Sequence, residues 1–492
     1  MAEPAWIGVD VGTQSVRALA VDGTGHQLAV ATRPLTSHRD GVRHEQDPAD
    51  WRRLAFETLA EVTEALAGRP VGALAVCATS GTVLLTDPDG TPRTPGVMYD
   101  DTRAAALAAT AQEAGADLWA ALGYRMQPAW ALPKLLWWRD LGLLDGEARL
   151  AHQPDVVTAA LVGHPVASDT SHALKTGYDL LALRWPEKTL RRLRVDPAAL
   201  PEVVRPGTVL GTVDPAAARA TGLPAGTPVV AGMTDSCAAQ LSAGALDIGQ
   251  WNAVLGTTLA LKGVQARLPA DPTGAVYSHR APRGDLWLPG GASSTGAAAV
   301  RHLFPDADQP ALAALTASAA RVETVPVCYP LVGRGERFPF VAPDAEGFLG
   351  EGPLAVGEDQ GTAFAAVLTG VAHVERLSFA LLAAAGCAVE GPVAFTGGAA
   401  RNDWWNQLRC DMLGLPVRLP ENPEPALGMA VLAAGSVSGD LGAAARRLVR
   451  VRRTLTPDPA RTASLLPGYR AFLEAIAARG WLDPRLAEER PR

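Results

Sequence analysis

Asp10, Gly12 and Thr13 lie in Ala5-Trp6-Ile7-Gly8-Val9-Asp10-Val11-Gly12-Thr13-Gln14-Ser15-Val16-Arg17-Ala18-Leu19-Ala20-Val21, two apolar runs that predict strands joined by a turn with these three residues at its tip. Such a turn suits phosphate. Gly12 lets backbone approach an anion, amides and the Thr13 hydroxyl donate to it, and Asp10 can hold the magnesium that accompanies a nucleotide. A second turn of the same kind, Val254-Leu255-Gly256-Thr257-Thr258-Leu259-Ala260, follows about half the chain later. The pair points to a nucleotide held between two similar domains. An ordinary hairpin is the plain alternative for either turn alone.

In Val229-Val230-Ala231-Gly232-Met233-Thr234-Asp235-Ser236-Cys237-Ala238-Ala239 a buried strand ends at glycine and a carboxylate stands where a helix begins. Asp235 reads as a general base that takes the proton of a substrate hydroxyl attacking a γ-phosphate, or as a helix N-cap, and one carboxylate can do both.

Two further glycine-rich junctions, Gly290-Gly291-Ala292-Ser293-Ser294-Thr295-Gly296 and Phe395-Thr396-Gly397-Gly398-Ala399-Ala400-Arg401-Asn402, offer bare backbone to a base or a phosphate, or are simple strand-to-helix turns. Polar clusters at Ala78-Thr79-Ser80-Gly81-Thr82 and Met98-Tyr99-Asp100-Asp101-Thr102-Arg103 supply the mixed donors and acceptors a polyhydroxylated molecule needs, though turn chemistry also explains them. His152, His172 and His279 lack metal-site spacing and read as hydrogen-bonded structural histidines. There is neither a P-loop run nor a Gly-x-Gly-x-x-Gly opening.

Elements must position these residues, and 492 residues are too many for one core, so two domains are expected. A net charge of −7 argues against a basic nucleic-acid or membrane-binding face. Five scattered cysteines without a Cys-x-x-Cys pair make a disulfide framework or zinc site improbable and fit a reducing cytoplasm. The chain enters a strand almost at once, with no signal-like segment, and no apolar run looks long enough to span a bilayer.

The pattern predicts strands near 5–10, 15–21 and 27–33, a helix over 48–67 and a strand at 71–77. An Ala- and Leu-rich helical stretch over 100–145 follows, whose Trp119, Trp130, Trp137 and Trp138 read as packing. The second half repeats the order, with strands around 249–263 and 285–289, a helix over 361–386, a strand at 393–396 and a helix at 402–413. Residues 206–228 read as turns, and 440–492 as helices with an Arg-rich, poorly ordered tail.

Together, Gly8-Val9-Asp10-Val11-Gly12-Thr13, Gly232-Met233-Thr234-Asp235, Leu255-Gly256-Thr257-Thr258 and Thr396-Gly397-Gly398-Ala399-Ala400-Arg401-Asn402-Asp403 resemble the FGGY carbohydrate kinases of the actin-like, hexokinase-like ATPase superfamily. The resemblance implies an α/β fold of two RNase H-like domains flanking a deep interdomain cleft: a sugar-binding domain at 1–245, a nucleotide-binding domain at 246–440, and C-terminal helices with a flexible tail at 441–492. By position it makes Asp235 the catalytic base and Asp10 the second catalytic carboxylate and magnesium ligand. Thr79, Ser80, Asp100 and Asp235 would meet the sugar. Gly12, Thr13, Gln14, Gly256, Thr257, Gly291, Thr295, Gly397, Gly398 and Asn402 would meet ATP. The chain departs from xylulokinases, which usually carry Met-His where it has Thr79-Ser80, and has Ala131 where Pro, Ser or Thr is usual before Lys134.

Longer runs are similar to kinases of cyanobacteria and plants described as D-ribulose kinase or xylulose kinase-1. They include Ala151-His152-Gln153, Ser168-Asp169, His172-Ala173-Leu174-Lys175-Thr176-Gly177-Tyr178-Asp179, Tyr277-Ser278-His279-Arg280 and Gly335-Glu336-Arg337-Phe338-Pro339. The expected reaction is therefore ATP-dependent conversion of D-ribulose to D-ribulose 5-phosphate with Mg2+. A D-xylulokinase or other polyol kinase is the first alternative, and a non-catalytic nucleotide-dependent sensor or scaffold the second. Sugar and ATP are the expected partners, without nucleic acid or membrane and with a homodimer as an allowed assembly.

Overall fold

The computed structural model describes residues 3–269, 271, 273–482 and 486. The chain forms two compact units. The first takes the stretch up to Leu246 together with Ser278–Leu288 and Glu421–Arg450; the second takes Asp247–Tyr277, Pro289–Pro420 and the stretch from Val451.

The first unit opens with β1 (Ala5–Val11), β2 (Ser15–Val21) and β3 (Gln27–Pro34), then α1 (Pro48–Ala65) and β4 (Val71–Ala78). It continues through α2 (Ala131–Asp140), α3 (Gln153–Val162), β5 (Val209–Thr212), α4 (Pro215–Thr221), β6 (Pro228–Val230) and α5 (Asp235–Ser242). The second unit holds β7 (Trp251–Leu255), β8 (Leu259–Gly263), β9 (Trp287–Ala292, from Pro289 onward), α6 (Gln360–Ala384), β10 (Val393–Thr396), α7 (Asp403–Leu413) and β11 (Val417–Pro420). The chain then returns to the first unit as α8 (Pro425–Ser438) and completes the second with β12 (Val451–Leu455) and α9 (Pro459–Ala478).

Both sheets follow one plan. In the first, the order is β5-β6-β4-β1-β2-β3, with β1-β2-β3 antiparallel, β1, β4 and β6 parallel, and β5 an antiparallel edge. In the second, β9-β8-β7 run antiparallel, β7, β10 and β11 parallel, and β12 closes an antiparallel edge. Such mixed sheets point the carboxyl ends of their parallel strands to one side, where open α/β sheets bind ligands.

Local chemistry explains the elements. Asp47 accepts from the Ala49 amide and Pro48 occupies the first turn, so α1 begins where the sequence places it. Its Trp51 and Leu59 share one buried core with Ile7, Val9 and Val11 of β1 and Leu74 and Val76 of β4. Trp251, Phe364, Val371, Phe395 and Phe472 anchor the second core. α8 lies against β1, β4 and α5 at backbone contact distance: a Cβ on Gly8 would sit 1.8 Å from the Ala426 carbonyl oxygen, and one on Gly428 2.0 Å from that of Ala238.

Several expectations change. The 206–228 stretch contains β5, paired with β6, and α4, which forms because Asp214 accepts from the Ala217 amide ahead of Pro215. Within 440–492, Val-Arg-Arg-Thr-Leu is not a tail but the edge strand β12, whose arginines face solvent in the manner of protected edges. The final residues of the expected tail lie outside the described ones. A hairpin of Cys328–Glu336 with Ala342–Leu349 was not foreseen. α6 is long and apolar enough to cross a membrane by length and composition, contrary to the sequence reading, but most of it is buried inside the second unit. Trp119, Trp130 and Trp138 are buried as expected, and Trp137 lies under the Arg103 guanidinium, 4.8 Å from its ring centre.

Candidate active site

The carboxyl edge of the first sheet assembles one set of candidates. Asp10 lies inside β1 opposite Arg17 of β2 and Cys77 of β4, so it sits on the strand before the turn rather than at its tip. The Gly12 amide donates to the Ser15 carbonyl at 3.0 Å, and Thr13 and Gln14 fill the turn, their carbonyls accepting from the Gln46 side chain and the Leu35 amide. Ala78, at the end of β4, bridges to Thr234, which brings Thr79 and Ser80 beside Asp235. Thr234 is the N-cap of α5 and Asp235 its first residue, so the carboxylate stands inside the helix start rather than capping it. One of its oxygens accepts from the Ser236 amide at 2.7 Å.

Electrostatics single out Asp10. Burial first and the Asp235 charge second push its carboxyl up to about 7, against a hydrogen bond from the Cys77 thiol, with Glu424 raising it further and Arg17 lowering it. Burial and like charge are the arrangement by which active sites perturb the pKa of a carboxyl, which makes the pair a candidate for chemistry. The Cys77 thiol is itself pushed well up by burial and by Asp10.

Thr79 and Ser80 divide their roles. The Thr79 hydroxyl is buried and donates to Gln153 Oε1 at 2.6 Å, with Thr82 Oγ1 also 2.6 Å away, so it braces the loop from inside. The Ser80 hydroxyl is buried without a partner. Two lysines fix the loop: Lys175 Nζ donates to the Ser80 carbonyl at 2.9 Å, and Lys134 Nζ to those of Gly81 and Met98 at 2.9 and 2.6 Å. Burial pulls the Lys134 ammonium down to about 7. Asp100 is engaged elsewhere, its carboxylate paired with Arg39 at 2.7 Å and His44 Nδ1 at 2.5 Å, which holds it below the usual range despite burial.

The second unit assembles its own set. Val254 of β7 pairs with Thr396 of β10, so the Gly256–Thr258 and Gly397–Gly398 turns leave the same edge. Gly256 and Gly398 face open space, and exposed Thr257 Oγ1 accepts from Arg301 at 2.7 Å. Gly397 has φ +83, and a Cβ there would meet the Leu255 carbonyl oxygen at 2.5 Å. Asn402 caps α7 through the Trp405 amide and donates to Thr316 Oγ1 at 3.0 Å. Gly291 lies in β9 opposite Leu261 rather than in a loop, and its missing side chain makes room for the Phe338 ring, 2.4 Å from a built Cβ. Thr295 is buried and donates to the Glu336 carboxylate at 3.1 Å, beside Ser293 Oγ at 2.8 Å, the Ser294 amide at 2.6 Å and the Tyr329 hydroxyl at 2.7 Å.

The sequence models of the FGGY family of carbohydrate kinases match this chain twice, with the N-terminal domain over residues 5–242 and the C-terminal domain over 251–437. The chain belongs to the FGGY family of carbohydrate kinases. It is therefore an ATP-dependent sugar kinase, which sets aside the sensor or scaffold alternative. The FGGY kinase is 33% identical over 457 residues to a xylulose kinase of Streptomyces coelicolor, with 90% of each chain covered. It is 31% identical to a xylulose kinase of Streptomyces rubiginosus, again with 90% of each covered. The crystal structure of xylulose kinase from Rhodospirillum rubrum superposes with TM-score 0.87 at 28% identity, covering 98% of this chain and 99% of that one.

Sequence reasoning left several residues of the first set without a role. Gln153, Asp169, Ser171 and His172 gather beside Thr79 and Thr234: Ser171 Oγ accepts from the Thr234 amide at 2.9 Å, and the His172 and His152 rings are 5.9 Å apart. The runs Ala151-His152-Gln153 and Ser168-Asp169 with His172 held the available signal, as stretches of resemblance only. His152 is hydrogen-bonded at both nitrogens, as expected, whereas His172 Nε2 is buried without a partner, against expectation.

Proposed function

We propose that this FGGY kinase transfers the γ-phosphoryl group of ATP to the terminal hydroxyl of a ketopentose, D-xylulose ahead of D-ribulose. The observation that carries the mechanism is the carboxylate pair Asp10 and Asp235 at the carboxyl edge of the first sheet. Asp235 accepts the hydroxyl proton as the oxygen forms its bond to phosphorus, and the bond from the γ-phosphorus to the β-bridging oxygen breaks to release ADP. Two neighbouring carboxylates also favour a neutral polyol over an anionic sugar acid.

D-xylulose comes first because the relatives at 33% and 31% identity are named for it, which revises the D-ribulose preference drawn from sequence. D-ribulose stays second on the Thr79-Ser80 pair and the longer runs of resemblance. Mg2+ fits the donor set, since Asp10, lifted to about 7, offers a hard oxygen ligand whose charge is crowded by Asp235. Magnesium is commonly held by one or two carboxylates plus phosphate oxygens and water. When bound it would be held by Asp10 and would neutralise charge on the transferring phosphoryl group. All five cysteines are unpaired and buried, in keeping with a reducing cytoplasm.

The test is sugar-dependent ADP release with Mg-ATP across D-xylulose, D-ribulose, L-ribulose, glycerol and a no-sugar control, with Asp235→Asn alongside. Preference for a ketopentose, and loss of about 10²–10⁴ of turnover in the variant, support the reading. Preference for glycerol overturns the substrate, and near-normal turnover by Asp235→Asn overturns the base.

A further inference from the structure

His172 belongs to a buried constellation built around Asp169. The Asp169 carboxylate accepts from the Ser171 amide at 2.7 Å, the Ser171 hydroxyl at 2.5 Å, the His172 amide at 3.2 Å and His172 Nδ1 at 2.5 Å. That arrangement puts a proton on Nδ1 and locks the ring. The opposite nitrogen, Nε2, is fully buried with no partner among the described residues, so its lost hydration is left uncompensated. Ser171, the residue before it, holds the amide of Thr234, which in turn precedes Asp235.

Three more buried polar atoms share that neighbourhood without partners: Ser80 Oγ, Gln153 Nε2 and Thr234 Oγ1. Donors and acceptors left unmet together beside the base match a ligand rich in hydroxyls, each of which both gives and takes a hydrogen bond. His152 is the internal contrast. Its ring is 5.9 Å from that of His172 and equally buried, yet Ser168 Oγ at 2.7 Å and Thr176 Oγ1 at 2.9 Å satisfy both nitrogens. A purely structural histidine could be satisfied in this setting.

We propose that His172 Nε2 makes a direct hydrogen bond to a hydroxyl or carbonyl oxygen of the sugar, and that Asp169 positions the ring for it. This rests on the ketopentose-kinase reading above. The charged groups that act on the ring are Asp169, Asp155 and Asp235; the first two favour the imidazolium, as does Asp235, against the burial that opposes it, and the balance keeps the ring above its ordinary value. His172 is thus a substrate-binding and specificity-determining residue, placed where a displaced hydroxyl on an epimeric sugar would leave Nε2 unmet.

The experiment compares His172→Asn, which keeps a partner for Asp169 at the Nδ1 position, with His172→Gln, whose amide reaches the Nε2 position. His172→Asn should raise the KM for sugar about ten- to hundredfold with the KM for ATP within twofold, and His172→Gln should recover part of the loss. Among deoxy analogues of the active sugar, one should be indifferent to His172→Asn, because the hydroxyl that Nε2 serves is missing. An unchanged sugar KM, or equal increases for sugar and ATP, overturns the proposal. Nitrogen NMR of histidine-labelled wild-type enzyme covers the case in which a variant fails to fold: sugar alone should shift His172 Nε2 and leave His152 in place, and no shift overturns the assignment. Failure of every ketopentose as a wild-type substrate sinks the substrate reading alone. The same variants and spectra, run with whichever polyol is turned over, still decide the role of His172.

Discussion

His373 offers a quantitative check on the second unit. It lies on α6, 4% exposed, with its ring 5.7 Å from that of Tyr469 and 5.2 Å from that of Phe472, and neither ring nitrogen has a partner. Burial first and the nearby Arg376 charge second push its pKa down to about 3. The folded state therefore keeps His373 neutral, while the unfolded chain protonates it near the ordinary value of about 6.5. Since the unfolded state binds the extra proton, stability is intact above about pH 6.5 and is lost as pH falls from there toward 3. Between pH 7 and pH 4.5 this group alone should remove about 2–3 kcal/mol. His373→Phe keeps the ring and removes the titration. Urea unfolding of both proteins at the two pH values should show the wild type losing that much more stability than the variant. Parallel losses, or a His373 NMR signal that titrates near pH 6.5 in the native state, would refute the reasoning.

Glu375 and Arg409 form a fully buried bidentate pair at 2.7 Å, with the guanidinium 3.7 Å from the Phe395 ring centre. Glu375→Gln should cost roughly 3–5 kcal/mol in urea unfolding, whereas Glu375→Leu with Arg409→Met should recover most of it; equal losses in single and double variants would contradict this. Glu336 accepts three hydrogen bonds from the 293–295 segment and a fourth from the Tyr329 hydroxyl, so Glu336→Gln should raise the KM for ATP about tenfold and leave the KM for sugar within twofold. Equal changes in both would show that Glu336 serves general stability rather than a nucleotide-binding role of that segment.

Much of this architecture was legible in the residues. β1, β2, α1, β4, α6 and β10 fall within a residue or two of their expected spans, because apolar alternation, the Asp47-Pro48 cap and long apolar helical periodicity are local signals. Asp10 and Asp235 could be singled out for the same reason, one lying on a readable strand and the other at a readable helix start. What escaped depends on partners distant in sequence. No local signal foretold that Arg39 and His44 pair with the Asp100 carboxylate, or that Gly291 lies in β9 with the Phe338 ring where its side chain would be. The engagement of the Thr79 hydroxyl by Gln153 and Thr82 was likewise hidden, and His172, expected to be a hydrogen-bonded structural histidine, leaves Nε2 without a partner among the described residues. β12 was hidden because a strand of arginines is indistinguishable by composition from a tail.

The close seat of α8 on Gly8 makes the first unit depend on the order in which the chain is synthesised. β1, β4 and α5 leave the ribosome early, yet the helix that covers them is encoded beyond residue 424, after the whole 247–420 stretch. At ordinary elongation rates of about 5–20 residues per second, that face waits roughly 10–40 s for its cover. A premature stop just before Pro425 would leave every candidate catalytic and binding residue translated and still deny Asp10 its finished surroundings. For nascent-chain quality control, the decisive segment of the first unit is made only after most of the second unit has been translated.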